Sequence, residues 1–323
     1  MRRSTISTIL ASLMVLGATA IAGAESWPSK PIKAIIPFGA GSATDVVPRI
    51  VFEQLSQQLG QQIIVENRPG AGGTIGSSAV AKSDPDGYTL LVHSSAHSIT
   101  PALYGNLNYS TSDDFAAVGP MGNVPNVLII APSKGLTNVQ DFVKKAKANP
   151  GTFNFASLGV GSAVFLSAER FRVSAGYEAV HIPFKGGPEA LTEIISGRVD
   201  YYFCPLATAL PFIKDGKLLG LAVSSPKRAA ALPDVPTTLE AGFANSDYTF
   251  WIGVFAPAKT PRAIIDKLHA EMTKAINTPA VQEKLAKLGV EPMAFTPQAF
   301  DAHVKKEIAT YGEFAKVAGL KQN

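Results

Sequence analysis

Three apolar runs in this 323-residue chain break into glycine-rich turns and restart as small-residue helices: IKAIIPFGAGSATDVV, IIVENRPGAGGTIGSSAV and FNFASLGVGSAVFLSA. Glycine leaves main-chain N–H groups uncovered, and at a helix start those donors lack intrahelical acceptors and lie at the positive end of the dipole. The chemistry they offer is capture of a small anion, a carboxylate or a phosphate. Other chemistry-bearing side chains are few. His93 and His97 stand four apart in HSSAH, without the glutamate of a zinc-protease helix, so no metal is expected, and His93 is placed at the cleft wall or at a strand end. Asp45 is either a helix N-cap or a cleft carboxylate. Lys185 is either a charge beside the ligand or a loop lysine holding its own turn, and Asp200 either a ligand contact or a solvated strand-start carboxylate. His181, inside AVHIPF, reads as a strand histidine with a local hydrogen bond. No GxSxG elbow occurs, and the glycine turns lack both the lysine of a phosphate loop and full GxGxxG spacing. A secreted hydrolase or isomerase using Asp45 or His93 as base is the alternative to a binding protein. No nucleophile, base and orienting residue can be assembled for it from a motif. No catalytic residue and no cofactor are expected.

Strands must aim these turns. IKAIIPF reads as a strand, after which Val47, Val51, Leu55 and Leu59 recur at helical spacing until Gly60. Pro48 qualifies that helix: either it begins at about Asp45, leaving Gly39 to Thr44 as loop, or it is kinked. QQIIVEN, YTLLVHS, NVLIIAP, FNFAS, AVHIPF, VDYYF and LLGLAVSS are further strands. Between them lie the second and third glycine turns, a helix capped by Thr137, a helix through Phe165 and Ala168, and helices PEALTEIIS and LPFIK. The last quarter reads as helical, with starts at Thr260-Pro261, Thr278-Pro279 and Thr296-Pro297. Alternating strands and helices joined by short turns indicate parallel α/β sheets. Ligands settle outside the carboxyl ends of such strands, where all three glycine turns fall, so the turns are expected to converge on one cleft.

Arg2 and Arg3 precede an uncharged stretch from Ser4 to Ala20 with an apolar centre, and the small-residue patterns Ala20-Ile21-Ala22 and Ala22-Gly23-Ala24 follow. That order reads as a secretory signal over residues 1–24. The run is too interrupted by Ser and Thr for a spanning helix of about 20 apolar residues. Without Arg2 and Arg3 the charge is 27 basic against 25 acidic residues, spread thinly, which excludes a nucleic-acid surface. Cys204 has no disulfide partner and is expected to be a buried, inert thiol. With 46% hydrophobic residues there is material for two lobes of ordinary size.

The runs WPSKPIKAIIPFGAGSATDVV, GQQIIVENRPGAGGTIGSSAVAKSDPDGYTLLV, HIPFKGGPEALTEIISGRVD, ALPDVPTTLEAG and WIGVFAPAKTP occur in that order. Together they resemble the extracytoplasmic solute receptors of the tripartite tricarboxylate transporter (Bug-type) family, over nearly the whole chain after the signal. The resemblance implies a two-lobe α/β periplasmic binding protein, type II-like, each lobe a mixed β-sheet flanked by helices and joined by two crossover strands. It implies lobe 1 over residues 27–125 plus 249–323 and lobe 2 over 126–248. It also implies a monomer in the periplasm that closes over a small carboxylate and delivers it to a two-component integral membrane permease. The ligand-holding elements carried over are Phe38, Gly41, Ser42, Ala43, Thr44 and Asp45 in the first turn, and Gly72, Gly73 and Thr74 in the second. Facing them are Ser157, Gly159, Ser162 and Phe165, then Phe184 and Lys185, with Asp200 nearby; His93 joins these candidates from its own place in HSSAH and not from the resemblance. The family's Pro-Gly-Gly is Ala40-Gly41-Ser42 here, and its PYKGG is PFKGG. Phe165 stands near the position of a frequent histidine. These departures make the second-lobe wall less polar and favour a ligand with an apolar or aromatic body.

Overall fold

The computed structural model describes residues 27–320, so the signal expected over residues 1–24 lies outside the described part. The first lobe opens with β1 (Ile32–Ile36), α1 (Ala43–Leu59), β2 (Ile63–Asn67), α2 (Thr74–Ala81), β3 (Thr89–Ser94), α3 (Ala96–Leu103) and β4 (Phe115–Asn123). The second contains β5 (Asn126–Ile130), α4 (Val139–Ala148), β6 (Asn154–Ser157), α5 (Ala163–Ala175), β7 (Val180–Pro183), α6 (Gly187–Ile195), β8 (Tyr201–Pro205), α7 (Leu206–Lys214) and β9 (Leu219–Val223). The chain then returns through β10 (Trp251–Pro257) to α8 (Arg262–Ile276), α9 (Pro279–Lys287) and α10 (Pro297–Val317).

Two five-stranded sheets result, ordered β2-β1-β3-β10-β4 and β7-β6-β8-β5-β9. Each holds three mutually parallel strands and an antiparallel fourth, and in both lobes that fourth strand is the one arriving from the other lobe. Helices cover both faces, so successive strand residues are buried alternately on opposite sides. Ile32, Ala34 and Ile36 pack with Val47, Val51 and Leu55 of α1, whereas Ile35 joins Leu91, Trp251 and Phe300 on the other face. In the second lobe Val127 and Ile129 share a layer with Tyr202 and Cys204, while Leu128 and Ile130 share the opposite one with Tyr201 and Phe203. Cys204 is free and fully buried, and burial pushes its thiol pKa well above the ordinary value.

The crossovers lie side by side. Val124 N–H donates to Phe250 O at 2.7 Å, and Tyr248 N–H donates to Ser224 O at 2.7 Å. FAAVGPMGN, which no sequence pattern marked as a strand, forms β4 with two register shifts against β10 that absorb its glycines and Pro120. WIGVFAP likewise is a central strand inside a region that reads as helical. Helix starts also differ in detail. α1 begins at Ala43 behind Ser42 and continues through Pro48, so Asp45 is inside the helix and not its cap. Asn138, not Thr137, caps α4 by accepting from Asp141 N–H. Thr278 and Thr296 precede helices with proline first, but α8 starts one residue after Pro261.

The buried carboxylate of Glu307 on α10 ties three elements of the first lobe together. It accepts from Ser98 Oγ of α3 at 2.9 Å, from Trp251 Nε1 of β10 at 2.8 Å and from Tyr311 OH at 3.1 Å. Replacing it by alanine leaves the buried indole and hydroxyl donors without acceptors, at about 1–3 kcal/mol each. Glu307→Ala is therefore expected to lower the melting temperature by roughly 5–10 °C in calorimetry, and Glu307→Gln, which keeps an acceptor, by less than half as much.

Candidate ligand-binding cleft

A cavity of about 670 Å³ opens between the lobes at the carboxyl ends of their parallel strands. From the first lobe it is walled by Pro37, Phe38, Tyr104 and the turn from Pro69 to Gly73; from the second by Leu158, Gly159, Val160, His181 and the run from Pro183 to Lys185. Of the expected site residues, Phe38, Gly72, Gly73, Gly159, Phe184 and Lys185 thus face this space. Lys185 carries the one permanently charged side chain among the described residues that line it.

The second glycine turn is a short 3-10 segment, Ala71–Gly73, that runs into α2. As its first residues, Ala71 and Gly72 hold N–H groups that the turn does not itself use. Gly72 has φ +63°, and a Cβ there would come within 2.4 Å of Val160 O. Tyr104 OH donates to that same carbonyl at 2.7 Å, a hydrogen bond between lobes. Gly39 makes the corresponding approach on the other flank, where an added Cβ would lie 2.8 Å from Lys185 O. Main chain therefore meets main chain on both sides of the cavity.

The first turn behaves differently from the expectation. Gly41, Ser42, Ala43, Thr44 and Asp45 do not line the cavity; they lie at the seam between lobes, with Gly41 against Pro188 and Ser42 against Gly187. The Asp45 carboxylate is 3% exposed and fully engaged: it accepts from Gly41 N–H at 2.9 Å, Arg49 Nε at 2.9 Å and Asn67 Nδ2 at 2.9 Å. An internal anion thus occupies the positive end of α1, its carboxylate committed to the protein's own donors. Ser42 keeps a buried hydroxyl without a protein partner.

Four further residues expected at the site lie off the cavity wall, two of them in the alternative places the sequence offered, His93 at a strand end and Asp200 at a strand start. Asp200 sits at the amino end of β8, the far end from the cleft, bonded to Lys134 Nζ and accepting from Asn154 N–H at 2.8 Å. Phe165 is buried behind His181, ring centroids 4.9 Å apart, and adds no wall. His93 lies beneath Gly73, in a row of rings with Phe38 and His97 at 5.4 and 5.1 Å. Burial pushes the His93 pKa down to about 4 and that of His97 well below its ordinary value, so both are neutral near pH 7 and neither meets the cavity as an acid or base. Thr74 opens α2 outside the cavity lining.

Ser157 and Ser162 act one layer back. Ser162 caps α5, accepting from Phe165 N–H at 3.3 Å, and donates to Gly159 O at 2.7 Å. Ser157 Oγ accepts from Gly159 N–H at 3.0 Å and lies 2.5 Å from His181 Nε2. His181, read from sequence as a strand residue with a local hydrogen bond, has that bond and lines the cavity as well. Its place two residues before the carboxyl end of β7 was the available signal. Tyr104, which follows the α3 pattern and belongs to no glycine turn, offered none.

A match to the family described as tripartite tricarboxylate transporter family receptor runs over residues 47–320. Protein BugT of Bordetella pertussis is 34% identical over 307 residues, covering 94% of each chain. Among solved structures, a Rhodopseudomonas palustris protein with adipate superposes with a TM-score of 0.88 at 32% identity, covering 92% of this chain and all of that one. MatC of Rhodopseudomonas palustris with bound malate superposes with a TM-score of 0.85 at 30% identity, covering 88% of this chain and 99% of that one.

Gly39 has no unusual backbone angle, so a methyl group there burdens only the arrangement in which the lobes meet. Gly39→Ala is expected to unfold at the wild-type temperature without ligand, yet to lose about tenfold or more in affinity for any ligand held by both lobes, in line with an overpacking cost of about 1–3 kcal/mol. Titration calorimetry measures this; wild-type affinity would show that capture does not require contact at Gly39.

Proposed function

The chain belongs to the tripartite tricarboxylate transporter receptor family, solute-binding receptors and not enzymes, and from that premise we propose that it captures a small carboxylate between its lobes and delivers it to a membrane permease. The observation that carries this reading is a cavity bounded by main-chain turns of both lobes, with Lys185 the one permanently charged side chain on its wall among the described residues. Export by the N-terminal signal would place the receptor in the periplasm as a monomer, its partner being a two-component permease. Lobe 1 is assigned to residues 27–125 with 249–323 and lobe 2 to 126–248.

A dicarboxylate or an aromatic carboxylate fits best. Two relatives of the same fold hold adipate and malate, and here Phe38, Phe184 and the prolines at 37, 69 and 183 give the ligand body apolar walls. Micromolar affinity requires about 8 kcal/mol. Hydrogen bonds to a charged group contribute about 1.5–3 kcal/mol each, so donors gathered from both lobes around a carboxylate suffice, whereas one exposed helix end, at about 0.3–1 kcal/mol, does not.

A thermal-shift panel of mono-, di-, tri- and aromatic carboxylates tests the reading. A ligand at a hundredfold excess over its Kd stabilises by about 2.7 kcal/mol, several degrees in a chain of this length. The ligand should be recovered unchanged at one per chain. Stabilisation by a sugar or an amine, with none from any carboxylate, would overturn the ligand class.

A further inference from the structure

His181 is held on the cavity wall with more care than a strand histidine needs. Its ring packs against both Phe155 and Phe165, at centroid separations of 5.0 and 4.9 Å, in a three-ring cluster whose phenylalanine centroids are 6.2 Å apart. Its Nε2 lies 2.5 Å from Ser157 Oγ, whereas the alternative acceptor for that hydroxyl, Gly159 O, is 3.3 Å away. Ser157 Oγ already accepts from Gly159 N–H, so its own proton is directed to the nearer partner, the imidazole. A neutral imidazole that accepts at Nε2 carries its proton on Nδ1. Among the described hydrogen bonds Nδ1 has no protein partner, and the residue faces the cavity.

We propose that His181 is a specificity-determining residue, which donates from Nδ1–H to the second carboxylate of a two-headed ligand whose first carboxylate is held by the glycine turns. This rests on the carboxylate-receptor reading and names the ligand class within it as dicarboxylates. The donor is uncharged in the empty cleft, since burial holds the imidazole pKa at about 4. Lys185, exposed at the rim, is the other side-chain donor on this wall. Ser157 positions His181 by fixing which nitrogen is protonated, and Phe155 and Phe165 pack against its ring.

The experiment compares ligands that differ only in the second carboxylate, adipate against hexanoate and terephthalate against benzoate, by calorimetry on wild type, His181→Phe and His181→Asn. Phenylalanine keeps a ring packed against Phe155 and Phe165 but cannot donate; asparagine places an N–H near the position of Nδ1. Wild type should prefer the dicarboxylate of at least one pair by about tenfold or more, the scale of one hydrogen bond to a charged group. His181→Phe should erase that preference, leaving monocarboxylate affinity within about threefold, and His181→Asn should restore part of it. An equal loss for both members of a pair would mark His181 as merely structural and overturn the inference. So would a wild type that binds mono- and dicarboxylate alike, with the receptor reading intact. A wild type that binds none of the four, and no other carboxylate, would overturn both.

Discussion

The cleft depends on two places where main chain approaches main chain across the gap between lobes. Gly39 stands against Lys185 O and Gly72 against Val160 O, each so close that a Cβ would intrude. The approach brings the turns of both lobes around one cavity and narrows the path for water, and in such surroundings each N–H donor acts with more force than it would in solvent. Tyr104 reinforces the Gly72 side with a hydrogen bond to the same Val160 carbonyl. Glycine at these positions is thus a condition of closure, over and above the freedom it gives a turn.

A turn that must meet its partner so closely has to be stiff before the partner arrives. Asp45 provides that stiffness for the first turn: one carboxylate joins Gly41, Arg49 and Asn67, and Asn67 also donates to Phe38 O at 2.9 Å. Ser162 and Ser157 play the corresponding part in the second lobe, each bonded to Gly159. The anion-attracting helix end of α1 is therefore spent internally on order. The cavity itself is lined by Pro37, Phe38 and Tyr104, by the second turn and by elements of the second lobe.

This division explains what could be read from the residues and what could not. Strand and helix alternation, and the rule that ligands gather at carboxyl ends of parallel strands, placed Gly72, Gly73 and Gly159 at the cavity end of their sheets, while Phe184 was legible only through the family resemblance. Sequence alone treated the three glycine turns as equivalent, because the pattern shows a bare helix start and not whether a neighbouring side chain already fills it. Asp45 fills its own from inside the helix. β4 was illegible for a related reason: its glycines and proline look like breakers until a partner strand with matching bulges accommodates them. Asp200 was legible as a strand-start carboxylate, and its place at the amino end of β8, bonded to Asn154 N–H, keeps to that alternative.

The wall behind the turns is aromatic and uncharged, which suits a protein that must release what it captures. Phe38, His93 and His97 form one row of rings under the first lobe's turn, and Phe155, His181 and Phe165 form a three-ring cluster in the second lobe. Burial keeps all three imidazoles neutral near pH 7. A buried cation in an empty cleft would carry a desolvation penalty of several kcal/mol and would hold its anion whether or not the lobes were closed. Donors divided between two lobes act differently, since opening the cleft withdraws half of them at once. In the proposed receptor, affinity would then follow closure, and a partner that opened the lobes would discharge the ligand without having to compete for it.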